Sequence, residues 1–284
     1  MRIPYLNIDI NKENILSVLK TYPLLISVIC SSAVLAIVFG VQSKAEEEPV
    51  LEVPPAVTTT MPTESTQSTI ETQPTEEVLT GEPQFETVSD NYFHDALFIG
   101  NSRTVGLSLF GSMPEEATFY ATVGMNIYDL MESTAQIPPE EGPEMSFLSL
   151  MNSEKFGKIY IMLGINDLGT GTSESFAAYY GEVIAQIRQM QPEAVIYIQS
   201  IINISAERDA QGDVINNANI DEKNALLREL ADNDHVYYLD VNEVLVDESG
   251  ALRGDYTSDG IHLGGGSLPL WEDYLREHAI VKGA

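Results

Sequence analysis

The pattern of apolar and polar residues divides the chain into three parts. Residues 21–43 are uncharged and largely apolar, whereas residues 46–90 are rich in Thr, Pro and Glu and contain no Lys or Arg. Residues 91–284 alternate short apolar runs with amphipathic segments, which is typical of a folded domain. We therefore expect an N-terminal segment (1–20), a membrane-associated segment (21–43), a linker (44–90) and one globular domain (91–284).

Five runs in the last part predict buried strands. Each is short, rich in β-branched and aromatic residues, and bounded by glycine or polar residues. They cover residues 96–100, 119–124, 158–164, 194–201 and 236–241.

Amphipathic helices are predicted between these strands. Residues 175–190, 221–231 and 267–278 each place apolar side chains on one face with a period of about 3.6 residues. Alternating strands and helices favour right-handed crossovers and a parallel sheet covered on both faces. The expected fold is a flavodoxin-like three-layer α/β/α sandwich with about five mostly parallel strands. Its ligand site should lie beyond the carboxyl ends of the strands.

The apolar run over residues 21–43 is long enough to cross a bilayer, which takes about 20 residues. Positive residues precede the run and Glu46 to Glu48 follow it, an asymmetry that places the N-terminus in the cytoplasm and the rest outside. Two interpretations stay open. The run is either a single-pass anchor or a signal peptide cleaved near Ala45, which would release the domain.

The composition of the linker predicts a disordered tether. It has too little apolar surface to offset the entropy of ordering, and its prolines and like charges favour extended conformations.

The charge of the chain excludes one class of partner. Fourteen Lys and Arg residues stand against 43 Asp and Glu residues, for a net charge of −29. Such a surface repels nucleic-acid phosphates. The single cysteine, Cys30, and the spacing of the four histidines match no metal-site pattern, so we expect neither a metal nor another cofactor.

Polar residues with catalytic chemistry follow four of the predicted strands. Ser102 follows the first, Gly124 ends the second, and Asn166 follows the third. Asp259 and His262 follow the fifth, three residues apart. Because these residues follow the carboxyl ends of parallel strands, we expect all of them to lie at one end of the sheet, where ligands bind in such folds.

The segments around these residues resemble the four sequence blocks of the SGNH hydrolase superfamily, the GDSL-like lipases and esterases. The segments are FIGNSRT, the loop at Gly124, GIND and DGIH, in the order and spacing of that superfamily. The resemblance covers nearly all of residues 91–284.

The residue types support a serine hydrolase independently. A serine hydroxyl needs a base, which His262 can supply, and Asp259 can orient the imidazole and stabilise its charged form. The resemblance implies that the amides of Ser102 and Gly124 and the side chain of Asn166 form the oxyanion hole. Alternatives remain for each residue: Ser102 as a helix cap, Gly124, Asn166 and Asp259 as turn residues, and His262 as a structural histidine.

Two neighbours of Ser102 depart from expectation. Asn101 stands where the superfamily usually has aspartate, and Arg103 places a positive charge at a helix N-terminus, against the helix dipole. Both are candidate substrate-binding residues. A structural salt bridge is the other interpretation of Arg103.

The sequence thus predicts an extracytoplasmic serine esterase. Its expected substrate is an acyl ester, with acetyl favoured, on a carbohydrate or a cell-wall polymer. An O-acyltransferase using the same triad is the first alternative, and a non-catalytic glycan-binding domain is the second.

Overall fold

The structure, a computed structural model, describes residues 2–3, 8–9 and 83–281. Residues 2–3 pair with residues 8–9 as a short antiparallel ladder. The predicted membrane segment at 21–43 and most of the predicted linker lie outside the described residues. Among the residues that are described, no helix combines the length and apolar character needed to cross a membrane.

A five-stranded parallel sheet forms the centre of residues 83–281, as the sequence predicted. Its five strands are β1 (Ala96–Gly100), β2 (Thr118–Ala121), β5 (Lys158–Met162), β6 (Val195–Gln199) and β7 (Val236–Leu239). Two further strands, β3 (Thr134–Gln136) and β4 (Glu144–Ser146), form a short antiparallel hairpin beside the sheet. The order across the sheet is β2-β1-β5-β6-β7. All four neighbouring pairs are parallel.

Residues 83–281 contain six α-helices, of which the last follows the final strand. They are α1 (Ser102–Phe110), α2 (Phe147–Ser153), α3 (Ser173–Met190), α4 (Ala206–Asp209), α5 (Asn217–Arg228) and α6 (Leu268–Glu277). The predicted helices correspond to α3, α5 and α6. Helix α5 begins four residues before its predicted start, because the side chain of Asn216 caps it by accepting from the amide of Asn219.

Two hydrophobic cores, one on each face of the sheet, make the domain a three-layer sandwich. On one face, Leu97, Ile99 and Ile161 pack in a cluster with side chains of α2, α3 and α5. On the other face, Phe98 and Tyr160 belong to a cluster with side chains of α1 and α6. Successive residues of β1 therefore serve opposite cores, as the period of two in a strand requires.

An aromatic ladder on the second face fixes the register of four strands. Phe98 stacks on Phe119 at a ring-centroid distance of 4.8 Å and on Tyr160 at 4.8 Å. Tyr160 stacks in turn on Tyr197 at 4.5 Å. These residues are directly paired across β2, β1, β5 and β6, and such cross-strand pairs stabilise one register over its alternatives.

The folded part begins a few residues before the boundary at residue 91 that we expected. Glu86 and Ala279 exchange backbone hydrogen bonds of 2.8 and 3.2 Å. The ring of Phe85 lies against Tyr237 and His278. The last residues assigned to the linker therefore pack beside the end of α6.

The strand order reverses direction between β1 and β5. In parallel sheets the crevice at such a switch point is the usual ligand site. Ser102 follows β1 and Asn166 follows β5, so two of the candidate residues flank this crevice.

Candidate active site

Ser102 is the first residue of α1, directly after β1. The helix is capped by Asn101, whose side-chain oxygen accepts from the Arg103 amide at 3.1 Å, so Ser102 itself is not the cap. Gly100 permits the tight turn, because a side chain there would collide with Thr104. Ser102 thus presents its hydroxyl and the amide of a first-turn residue, which helices leave without an internal partner.

Ser102, His262 and Asp259 form a continuous hydrogen-bonded line. The Oγ of Ser102 lies 2.8 Å from Nε2 of His262, and Nδ1 of His262 lies 2.7 Å from Oδ2 of Asp259. The three residues come from the loops after β1 and β7, as the sequence predicted for an Asp-x-x-His pair facing the serine. With Asp259 ionised, Nδ1 must donate, so Nε2 is left to accept the serine proton.

A tight turn holds Asp259 against its histidine. Its Oδ1 accepts from the backbone amides of Ile261 and His262 at 2.9 and 2.8 Å, while Oδ2 faces the imidazole. Gly260 adopts a φ of +81°, a conformation that residues with a side chain rarely take. One short loop therefore positions both members of the pair.

The charge state of Asp259 follows from these contacts. Partial burial disfavours the carboxylate, but hydrogen bonds from the His262 side chain and from the amides of His262 and Ile261 outweigh it and lower the pKa of Asp259. Asp259 therefore stays negative at neutral pH. A fixed negative charge in this position can stabilise an imidazolium that forms by proton transfer to the histidine.

Arg103 is buried and holds the histidine loop. Its Nε donates to the carbonyl of Ile261 at 3.1 Å, and its Nη1 donates to the carbonyl of Ile202 at 2.8 Å. No carboxylate within residues 83–281 lies within ion-pair distance of Arg103, so the structure contradicts the salt-bridge interpretation, and the buried side chain does not support the substrate-binding one. Burial lowers the pKa of Arg103 to about 10, an effect that the charge of Asp259 partly opposes.

Both the oxygen and the nitrogen of the Asn101 side-chain amide contact the backbone. Besides capping α1, its Nδ2 lies 3.5 Å from the carbonyl of Met162 at the end of β5. An aspartate carboxylate could not donate to that carbonyl, so asparagine suits this position. Asn101 is only 1% exposed, which leaves it little access to a substrate.

Asn166 presents an amide group at the mouth of the crevice. It is exposed and belongs to a short 3-10 turn, Ile165–Asp167, after β5. Its Nδ2 donates to the carbonyl of Met125 at 2.9 Å. Because Nδ2 carries two hydrogens, this bond fixes the amide and leaves the second N–H available to a ligand.

Gly124 lies in the loop after β2 with a φ of +83°. A side chain at this position would meet nothing within 4 Å, so the backbone conformation rather than crowding calls for glycine. Within the described part of the chain, no acceptor takes a hydrogen bond from its amide. The amide can therefore serve as a donor to a ligand.

A small cavity adjoins this loop, and the sequence did not predict it. Its volume is about 160 Å³. It is lined by Val105 of α1, by Ala121 and Val123 at and after the end of β2, and by Thr134, Gln136 and Glu144 of the β3–β4 hairpin. The hairpin was missed because its two strands are three residues long and flank a Pro-, Glu- and Gly-rich turn.

In the region that the structure describes, no group of three or more His, Cys, Asp or Glu side chains is arranged to hold a metal ion.

Comparison with known proteins identifies one matching family model. Residues 134–265 match the GDSL-like Lipase/Acylhydrolase family. The matched region includes Asn166, Asp259 and His262 and begins after Ser102 and Gly124. No curated protein matches the chain significantly.

Similar solved structures share the fold at low identity. A structure described as a platelet activating factor from Streptococcus pneumonia is 22% identical with a TM-score of 0.50, covering 70% of this chain and 85% of that one. A carbohydrate esterase family 3 protein from Talaromyces cellulolyticus is 15% identical with a TM-score of 0.43, covering 63% and 92%. A variant of an acetyl-xylooligosaccharide esterase from Geobacillus Stearmophilus is 17% identical with a TM-score of 0.44, covering 66% and 96%. At these identities the likeness concerns the fold alone.

Proposed function

We propose that this chain, which carries a domain of the GDSL-like lipase/acylhydrolase family, is a serine esterase with Ser102 as its nucleophile. The observation that carries the proposal is the line from Ser102 through His262 to Asp259, with separations of 2.8 and 2.7 Å. Its position at the switch point of the sheet is where such folds bind ligands.

The reaction proceeds through an acyl-enzyme. Nε2 of His262 removes the proton of Ser102 as Oγ attacks the ester carbonyl, and the imidazolium then protonates the departing alcohol. Water, activated by the same histidine, attacks the acyl-enzyme and regenerates Ser102. Asp259 holds the imidazole in the tautomer that both steps need.

Three hydrogen-bond donors stabilise the negative charge that develops on the carbonyl oxygen. They are the amides of Ser102 and Gly124 and the second N–H of Asn166. The loss of one such donor typically lowers kcat by roughly 100- to 1000-fold.

The substrate that we propose is an acetylated carbohydrate or cell-wall polymer outside the cytoplasm. His262 and Asp259 have side chains that are 45% and 51% exposed, so a bulky polymer can approach them. The extracytoplasmic location rests on the charge asymmetry around residues 21–43.

A product assay tests the proposal. The full chain is incubated with acetylated wall polymer, and with an aryl acetate plus a soluble sugar acceptor, and free acetate is measured against acetylated sugar. We expect free acetate to predominate and the Ser102→Ala variant to release none. Acetylated sugar as the main product would identify an O-acyltransferase. Equal release by the wild type and a folded Ser102→Ala variant would refute the serine mechanism.

A further inference from the structure

We propose that Asp167 is a positioning residue for the oxyanion hole, because its buried carboxylate fixes the loop that orients the side chain of Asn166. The inference rests on the proposed function, since it assumes that Asn166 is an oxyanion donor. Asp167 adjoins Asn166 in the sequence, but neither the triad nor the oxyanion hole uses it directly.

Two hydrogen bonds run in opposite directions between the loops after β2 and β5. Nδ2 of Asn166 donates to the carbonyl of Met125 at 2.9 Å. The amide of Ile127, two residues further on, donates to Oδ1 of Asp167 at 3.0 Å. The two bonds close a ring between the loops. If Asp167 releases Ile127, the carbonyl of Met125 can move, and the amide of Asn166 loses its fixed direction.

The buried position of the Asp167 carboxylate is energetically unfavourable. Asp167 is 1% exposed, and its Oδ2 has no hydrogen-bond partner within the described chain. Burial raises the pKa of Asp167 to about 6, although the Ile127 amide and Lys223 counteract it. A buried polar atom without a partner destabilises a fold, so the local packing alone does not account for a carboxylate at this position.

With a pKa of about 6, Asp167 is largely ionised at neutral pH, although most of its surroundings oppose the charge. Lys223 on α5 is 4% exposed and stacks its ammonium on the ring of Phe176 at 4.0 Å. Its positive charge favours the ionised carboxylate, whereas the nearby Asp129 disfavours it. Tyr180 on α3 is the remaining titratable neighbour. An ionised acceptor binds an amide more strongly than a neutral one, which suits a residue that must immobilise a loop.

A double-mutant cycle separates positioning from general structural support. Asn166→Ala and Asp167→Ala are made singly and together in the full chain, and kcat and KM are measured on an aryl acetate. We expect Asn166→Ala to lower kcat by roughly 100- to 1000-fold. Asp167→Ala should lower kcat by roughly 30- to 100-fold with little change in KM. A donor that points in the wrong direction loses much of the transition-state stabilisation that is lost when the donor is removed. In the Asn166→Ala background the same change should cost at most about fivefold, because the donor that Asp167 orients is already gone.

Two further variants control for folding and charge. Asp167→Asn keeps an acceptor of similar size for the Ile127 amide and should keep kcat within about fivefold of the wild type at pH 8. Asp129→Asn removes a neighbouring negative charge without touching Ile127 and should leave kcat unchanged. If Asp167→Ala does not fold, Asp167→Ser, which cannot reach Ile127 in the same way, replaces it in the cycle.

The outcomes distinguish this inference from the proposed function. An equal loss of kcat from the Asp167 change in both backgrounds, or an equal loss in Asp129→Asn, would overturn the positioning role alone. Wild-type kcat in Asn166→Ala would overturn both the oxyanion assignment and the inference that rests on it.

Discussion

Replacement of Arg103 by methionine tests how the loop that carries His262 is held. The variant removes two hydrogen bonds to buried carbonyls, those of Ile261 and Ile202. Hydrogen bonds from a charged donor contribute roughly 1.5–3 kcal/mol each. Burial of the guanidinium, which lowers the pKa of Arg103 to about 10, opposes them, as does the buried Nη2, which has no hydrogen-bond partner within the described residues. We therefore expect the free energy of unfolding to fall by about 2 kcal/mol.

The same variant should impair catalysis more than binding. Ile261 directly precedes His262, so a freed carbonyl lets the imidazole drift from Ser102. Misplacement of a catalytic group by about 1 Å can lower a rate by roughly 100-fold. We expect kcat to fall by roughly 10- to 100-fold with KM nearly unchanged, because the buried guanidinium does not reach the substrate.

Denaturant unfolding and steady-state kinetics on an aryl acetate measure the two effects. Arg253→Met is the matched control, since Arg253 is exposed, forms an ion pair with the exposed Asp255 and lies over the ring of Tyr256 without contacting the His262 loop. Such surface pairs contribute less than about 1 kcal/mol. A raised KM with unchanged kcat in Arg103→Met would show instead that this residue binds substrate and does not hold the His262 loop.

Three other predictions concern the histidine partner, the buried carboxylate and the topology. Asp259→Asn should lower kcat by roughly 10,000-fold at pH 8, because a neutral amide no longer holds the base in its tautomer; a loss below tenfold would contradict the triad. The folded-state pKa of Asp167, about 6, lies above its ordinary 3.8. Its stabilising contribution is therefore complete below about pH 4 and lost as the pH rises through 6. The free energy of unfolding of the wild type relative to Asp167→Asn should fall by about 3 kcal/mol from pH 4 to pH 7.5, and a constant difference would contradict the burial argument. A broad-specificity protease added to intact cells should cut between Glu46 and Phe85 and release active enzyme, whereas activity that is protected until lysis would reverse the proposed orientation.

The sequence predicted the sheet well because its strands are buried on both faces. Continuous β-branched and aromatic runs such as residues 158–162 lack the alternation of polar and apolar residues that is typical of a half-exposed strand. The expected three-layer fold is confirmed, with the strand order of flavodoxin-like sheets. The β3–β4 hairpin was not predicted, because a three-residue strand such as Thr134–Gln136 is too short for a period of two to register.

Some contacts of the candidate site could be predicted from the sequence and others could not. The proximity of Ser102, Asp259 and His262 could be predicted because each comes after the carboxyl end of a parallel strand, whereas their catalytic roles stay a prediction. The actual contacts of Arg103 could not be predicted, since its acceptors lie 158 and 99 residues away in the chain. The burial of Asp167 likewise depends on α3 and α5 closing over it. The anchor or signal peptide at residues 21–43 lies outside the described residues and stays a prediction.

Covalent labelling identifies the nucleophile, on which the proposed serine mechanism depends. A fluorophosphonate probe is added to the full chain, and the modified residue is located by peptide mass spectrometry, with folded Ser102→Ala as the control. We predict a single phosphonylated serine, Ser102, formed as its Oγ displaces fluoride, with loss of esterase activity in proportion to labelling. Labelling of another serine with full loss of activity, or no labelling of an active enzyme, would contradict the account.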